Sequence, residues 1–229
     1  MNSPLPQTTP SLLRVIFDDE MEAHEIPALR GAIAARAGYD HILFHNHQDE
    51  GYRYAYPLIQ YKRIGRRPAV VCVGRGVEEI HHFFQQPDWS VEISGRRLPM
   101  RILRMDLALI SLALLDAPRT YAIRKWVALN PENWNSYQQI GSVAEQRDFL
   151  ARKLTGNMLS YAKGIGWHVD GRIETTLLDA DIHTVRIKSV SLTAFDARFR
   201  TNVSLPDDIG LGGKVSLGYG TVRAVAADA

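Results

Sequence analysis

The sequence predicts an α+β protein made of two tandem domains, and three observations carry that prediction. Its 229 residues are enough for one large or two small domains, and at 45% hydrophobic and 23% charged the chain can bury a sizeable core. Short apolar runs with strand character are interleaved with stretches of helical spacing. Asp116-Ala117-Pro118 breaks the pattern, giving an N-terminal domain over residues 11–117 and a C-terminal domain over residues 118–229.

Taken in order, residues 1–10 are Pro-rich and expected to be disordered. Leu12 to Phe17 reads as a strand, ended by Asp18-Asp19-Glu20. Glu25 to Ala37 reads as a helix, because Ile26, Leu29, Ile33 and Ala37 recur at helical spacing, Pro27 fits a first turn and Gly38 a stop. A strand starting at His41 follows, then Gln48-Asp49-Glu50-Gly51 as a turn and Tyr52 to Tyr61 as the returning strand. Ala69 to Val73 is a buried strand, Val77 to Phe84 a short helix, and Val91 to Gly95 and Pro99 to Arg104 are short strands. This order matches the split β-α-β-β-α-β pattern of a ferredoxin-like (RRM-like) domain. Leu107 to Asp116 is a strand or a short helix, which periodicity does not decide.

The second half opens with a strand, Tyr121 to Ala128, followed by Pro131-Glu132-Asn133-Trp134. Val143 to Lys163 reads as a long helix with Phe149, Leu150, Leu154, Met158 and Tyr161 apolar, and Ser142 with Glu145 would form a capping box. Strand-like runs follow at Ile173–Leu177, Thr184–Ser191, Leu192–Phe199 and Gly220–Val225, a variant of the same ferredoxin-like plan.

Several function classes are disfavoured. The single cysteine, Cys72, leaves no internal disulfide and no Cys-based zinc site, and its valine neighbours mark it as a buried strand thiol. The longest apolar run, Leu107 to Leu115, is too short to span a membrane, and the N-terminus has no signal-peptide pattern, so a cytoplasmic location is expected. Net charge is +2 but uneven. Residues 1–50 carry three basic and eight acidic side chains, whereas residues 51–104 carry ten basic and four acidic. An electropositive middle suits a polyanionic partner, although a solvated charged face gives the same count.

The stretch HILFHNHQDEGYRYAYPLIQYK, from His41 to Lys62, is where chemistry is expected. On a strand His41, His45 and His47 share one face, and Tyr52, Tyr54 and Tyr56 follow within ten residues. Imidazoles titrate near neutrality and can both accept and donate protons. A second stretch, SLPDDIGLGGKVSLGYGTV from Ser204 to Val222, holds Gly210, Gly212, Gly213, Gly218 and Gly220 around Lys214 and Ser216. Glycines let backbone N–H groups approach a phosphate, but the order is neither a P-loop nor a Rossmann turn, and a tight hairpin loop would explain it equally well. His81 and His82 follow two glutamates on a short helix, where a metal site would need further ligands.

The Gly-Leu-Gly…Gly-Tyr-Gly pattern resembles the C-terminal glycine-rich loop of the CRISPR-associated endoribonucleases that cut repeat RNA, members of a repeat-associated RNA-binding superfamily built from ferredoxin-like domains. LRGAIAAR (Leu29–Arg36), LFHNH (Leu43–His47) and YPLIQYK (Tyr56–Lys62) look like the branch of that family carrying an HNH-like tripeptide. The resemblance covers roughly residues 12–80 and 185–225 and implies metal-independent cleavage of CRISPR repeat RNA, leaving a 5′-hydroxyl and a 2′,3′-cyclic phosphate, with no cofactor and no metal.

It further implies His45 and His47 as catalytic residues and Tyr54 as the tyrosine of the site, with Tyr52 sharing its parity and His41 accessory. Lys62, Lys214, Ser216 and the amides of Gly210, Gly212, Gly213, Gly218 and Gly220 would contact RNA phosphates. Some of the arginines at 63, 66 and 67, at 96, 97, 101 and 104, at 186 with Lys188, and at 198 and 200 would add contacts to the RNA backbone, and the sequence does not single out which. Two rival readings stay open: a non-catalytic RNA-binding subunit of a CRISPR effector complex, and a metal-dependent hydrolase using His45, His47 and acids such as Asp49. The apolar segment around Leu107–Leu115 offers a face for a homodimer.

Overall fold

The structure, a computed structural model, describes residues 9–38, 41–44, 47–48, 51–52, 55–187 and 190–226, with residues 42, 47, 48, 51 and 52 described by their backbone. The expected disorder of the N-terminal tail therefore falls almost wholly outside the described residues. The chain divides into two compact units, one running to Leu112 and including Lys163–His168, the other comprising Ala113–Ala162 and the chain from Val169. Asp116-Ala117-Pro118, where the sequence suggested a boundary, lies inside a strand of the second unit.

In the first unit β1 (Ser11–Phe17) leads through α1 (Ile26–Ala37) to a two-residue ribbon, β2 (His47–Gln48) and β3 (Gly51–Tyr52). The hairpin β4 (Ile59–Ile64) and β5 (Arg67–Val73) follows, then the short helices α2 (Arg75–Glu79) and α3 (His81–Phe84). A small hairpin, β6 (Val91–Ile93) with β7 (Arg96–Leu98), precedes β8 (Ile102–Leu109). The main sheet has the order β4-β5-β1-β8, antiparallel throughout, which is the split β-α-β-β-α-β arrangement. Alternation along β1 sends Leu13, Val15 and Phe17 to one face, where Phe17 meets the Phe83 ring edge-on at 6.5 Å. Leu29 and Ile33 of α1 and Tyr61, Val70 and Cys72 of the hairpin complete this fully buried layer. Burial also pushes the Cys72 thiol up, so it is held as an unreactive thiol.

In the second unit β9 (Leu114–Trp126) is followed by α4 (Pro131–Gln138) and α5 (Val143–Gly164). Asn130 caps α4 by accepting from the Asn133 amide at 2.8 Å, with Pro131 at its first position, a start signal present in the sequence but not read as a helix. The strands β10 (Thr175–Ile187) and β11 (Val190–Val203) pair almost end to end, where the sequence suggested three shorter runs. With β12 (Thr221–Ala224) they form a sheet of order β10-β11-β9-β12, the same plan again. Its second crossover is not a helix: Ser204 to Gly220, the glycine-rich segment, connects β11 to β12 and holds one 3-10 turn, Val215–Leu217. β9 accompanies β11 only from Phe195 to Val203, so the far part of the β10–β11 hairpin is two strands wide. No helix among the described residues is long and apolar enough to cross a membrane.

The uneven charge along the sequence largely cancels in three dimensions. The acidic run after β1 meets the arginines of the middle: Asp18 with Arg67, Glu20 with Arg66 at 3.3 Å, and Glu22 with Arg63 at 3.6 Å. Asp88 receives Arg97 at 2.9 Å. The electropositive middle expected from residue counts is thus compensated at these four arginines.

One pair is more than surface neutralisation. Glu25 is buried, and burial by itself raises its pKa. Arg96, 2.8 Å from both carboxylate oxygens, and the Glu22 amide at 2.8 Å outweigh that and hold it at about 2. A carboxylate whose folded pKa lies below its ordinary value of 4.5 stabilises the fold above that pH and loses the contribution as pH falls towards 2. Glu25→Gln should cost roughly 1–3 kcal/mol at neutral pH. Urea titrations of wild type and variant at pH 7 and pH 3 should show that gap narrowing in acid.

Candidate functional site

The segment that carries the expected chemistry lies between two buried anchors of the first unit. Phe44, 1% exposed, ends a 3-10 turn over Ile42–Phe44, and its carbonyl accepts from the Tyr61 hydroxyl at 3.2 Å. Tyr56, 8% exposed, accepts at its hydroxyl from Gln60 Nε2 at 2.8 Å. Both donors sit on β4, side by side in sequence and on opposite faces of the strand. Between the anchors runs the β2–β3 ribbon, whose register sets His47 opposite Tyr52 and Gln48 opposite Gly51.

This placement changes the reading of the histidines. Because residues 42–44 coil into a 3-10 turn, His41 is not on a strand with His47, and alternation does not align the three imidazoles. His45 and Tyr54, the other expected members of the site, lie outside the described residues, and His47 is located by its backbone alone. Tyr56 and Tyr61 are core residues, and burial raises the Tyr61 hydroxyl well above its usual range.

His41 instead joins the helical corner on the same side of α1. Its ring stacks on His82, centroids 3.6 Å apart and planes 26° from parallel, and His81 lies 3.9 Å from His82. Glu79 faces both: its Oε2 is 3.6 Å from His41 Nδ1 and 4.0 Å from His82 Nε2. His82 is held below its ordinary pKa by partial desolvation and then by the neighbouring His41 and His81, with Glu79 opposing. The carboxylate that reaches His82 is Glu79, and the His81 ring nitrogen contacts the Glu78 carbonyl. No local pattern could have found His41, which is brought there by the fold.

Lys62, expected at a phosphate, is 2% exposed on β4, enclosed by protein instead of presented at a surface. In the glycine-rich segment, Gly213, Gly218 and Gly220 already donate their amides to the carbonyls of Val127 (2.9 Å), Val215 (3.1 Å) and Lys125 (3.1 Å). Those three donors serve the fold, not a phosphate. The glycines are needed for close approach as well: a Cβ on Gly220 (φ +65°) would lie 1.9 Å from the Leu211 carbonyl oxygen, and one on Gly212 (φ +94°) 2.7 Å from the Trp126 ring. Gly210 is buried and Ser216 half-buried, whereas Lys214 is exposed with a left-handed backbone (φ 59°) at the head of the 3-10 turn.

The second sheet has one apolar and one charged face. Tyr121, Ile123, Phe199 and Val222 are buried on one side. Alternation turns Arg198 and Arg200 to the other, and Arg198 and Arg223 flank Ala122 across three neighbouring strands. Asp179 holds Arg198 at 2.6 Å, Asp208 holds Arg223 at 2.8 Å and Asp196 holds Arg124 at 2.8 Å. Partial burial raises the Asp196 carboxyl, but the Lys125 amide and Arg124 outweigh it and the group stays below its ordinary range. Arg200 is exposed and has no carboxylate partner among the described residues. Lys188 falls outside them.

Comparison with known proteins agrees with this architecture. A family model described as the Cas6b N-terminal domain matches residues 10–109, and one described as the Cas6b C-terminal domain matches residues 114–225. An uncharacterized protein of Methanocaldococcus jannaschii is 31% identical over 103 residues, which are 45% of this chain and 69% of that protein. A crystal structure of Cas6b superposes with a TM-score of 0.82 at 25% identity, covering 94% of this chain and 99% of the other. A CRISPR RNA processing endoribonuclease, Cas6b, superposes at 0.72 with 23% identity and the same coverage. A Cas6 product complex shares the fold at 0.53 and 13% identity, covering 95% of this chain and 99% of the other. With both domain models matched in order along nearly the whole described chain, the protein belongs to the Cas6b family.

Proposed function

We propose that the chain is a metal-independent endoribonuclease that cuts CRISPR repeat RNA in the cytoplasm. Membership of the Cas6b family carries this reading, together with a His45-Asn46-His47 tripeptide in a segment tied to the sheet at both ends. In the reaction a ribose 2′-hydroxyl attacks the adjacent phosphorus, one base accepts its proton, and the leaving 5′-oxygen receives a proton from an acid. The products are a 2′,3′-cyclic phosphate and a 5′-hydroxyl. His45 and His47 take the acid and base roles, and Tyr54 donates to the charged phosphoryl oxygens. Tyr52, opposite His47 in the ribbon, is the alternative for that last role.

RNA contacts are assigned to exposed cations: Lys214 beside the glycine-rich segment, and Arg200 with its neighbours on the outer face of the second sheet. Lys62 is withdrawn from that set by its burial.

The same reading includes a homodimer. β8 is an edge strand paired with β1, and Leu103, Met105, Leu107 and Leu109 on one face of it are 52%, 49%, 68% and 74% exposed. Antiparallel pairing of two copies about Met105 sets Arg104 opposite Asp106 of the partner subunit and Leu103 opposite Leu107 of the partner subunit, so charge and apolar surface both match.

End-labelled repeat RNA incubated in chelator should be cut by wild type to a cyclic-phosphate end, and cutting should fall at least about a hundredfold in His45→Ala/His47→Ala with binding retained. Binding without cutting by wild type would favour an RNA-binding effector subunit, and cutting that needs added metal would favour a hydrolase. Tyr54→Phe and Tyr52→Phe, assayed alongside, assign the tyrosine. Lys214→Ala should weaken RNA binding and lower the slope of log affinity against log salt by about 1, without altering the melting temperature. Light scattering should give a dimer mass for wild type and a monomer mass for Leu107→Lys. A wild-type monomer at all concentrations would discard the β8 dimer.

A further inference from the structure

The His41, Glu79 and His82 side chains meet outside the His45–Tyr54 segment. Their ligand-type atoms, two imidazole nitrogens and a carboxylate oxygen, all lie within 4.8 Å of one another. Glu79 Oε2 stands 3.6 Å from His41 Nδ1 and 4.0 Å from His82 Nε2, close to the roughly 3.3 Å between ligands of a tetrahedral zinc at about 2.0–2.1 Å; the two imidazoles, stacked with planes 26° apart, turn out of the stack for both lone pairs to meet one ion. Each side chain is 29% exposed, enclosed enough to be held and open enough for a water to take a further coordination position.

Their supports are independent and firm. Glu79 and His82 straddle Ile80 and precede Phe83, which are 2% and 0% exposed and fix the α2–α3 corner to the core. His41 is placed by the loop after α1: its amide donates to the Gly38 carbonyl at 3.3 Å, and its carbonyl accepts from Phe44 at 3.1 Å. Charge also points to a cation. Both contacts of Glu79 among the described ion pairs are imidazoles, which are neutral donors when unprotonated, so the cluster presents one negative charge and two nitrogen lone pairs.

We propose that His41, Glu79 and His82 bind one divalent transition-metal ion. Two nitrogens and one oxygen suit zinc, cobalt or nickel over magnesium or calcium, which take oxygen shells. The ion fastens the turn that leads into the His45–Tyr54 segment to the α2–α3 corner, across a separation of nearly forty residues in sequence. It takes no part in strand cleavage, so binding and cutting are separable.

The test uses untagged full-length protein stripped with chelator, then titrated with zinc by calorimetry and with cobalt by visible absorption. Wild type should take up one ion per chain with a dissociation constant in the micromolar range or tighter, on the order of −8 kcal/mol, and cobalt should give ligand-field bands of a low-coordinate nitrogen/oxygen site. Glu79→Gln and His82→Gln, both at half-exposed positions, should weaken binding by at least about tenfold, with circular dichroism unchanged. His24→Gln should bind as wild type does. No saturable uptake by wild type, or uptake unchanged in both variants, overturns the site. Loss of RNA cutting in chelator would instead overturn the metal-independent mechanism and leave this site standing.

Discussion

β4 is the constraint on which the rest of the first unit depends. Ile59, Gln60, Tyr61 and Lys62 are all buried, so both faces of this strand are enclosed although it lies at the end of its sheet. An enclosed strand cannot leave polar groups without partners, and two of its side chains turn that requirement outward. Tyr61 and Gln60 spend their hydrogen bonds on Phe44 and Tyr56, the two points where the histidine-bearing segment departs and returns. On the proposed reading, a segment that approaches a phosphodiester gains from being held at its roots by core residues, because general acid/base chemistry requires positioning within a fraction of an ångström.

The second unit shows what happens when a crossover helix is replaced by irregular chain. A helix satisfies its own backbone, whereas the stretch from Ser204 to Gly220 must find partners elsewhere. It takes them from the end of β9 and the residue after it, through Lys125 and Val127, and from Tyr121, whose hydroxyl accepts from the Leu205 amide at 3.2 Å. The lack of a Cβ at Gly212 and Gly220 allows that close seating. The glycine content thus records backbone packed against backbone, with Lys214 as an exposed cation at the head of the 3-10 turn.

The sequence was most informative where the signal is local. Helical spacing in Ile26, Leu29, Ile33 and Ala37 located α1, and the apolar run at Ala69–Val73 located the inner strand of the hairpin. β10 and β11 were harder, because Asp179, Asp181 and Asp196 interrupt their apolar pattern on a face that is open to solvent. Residue counts misjudged the charge, since opposite charges separated by tens of residues are paired in space, as Asp18 with Arg67 and Glu25 with Arg96 show. The histidine cluster failed for the same reason: His41 meets Glu79 because the β4–β5 hairpin, which lies between them in sequence, folds back to bring them together.

The long hairpin of the second unit has a built-in gradient of stability. From Thr175 and Val203 to about Phe195 it is part of a four-stranded sheet, backed by Tyr137 and Trp126 against Phe195. Beyond that, from His183 and Ala194 to Ile187 and Val190, each strand has the other as its ladder partner; Val190 is 56% exposed, whereas Val185 and Ala194 are buried. A two-stranded ribbon in water is only marginally stable by itself, so amide protection should decay along the arm while its base exchanges with the core. One continuous hairpin therefore joins a four-stranded wall at one end to a two-stranded arm at the other.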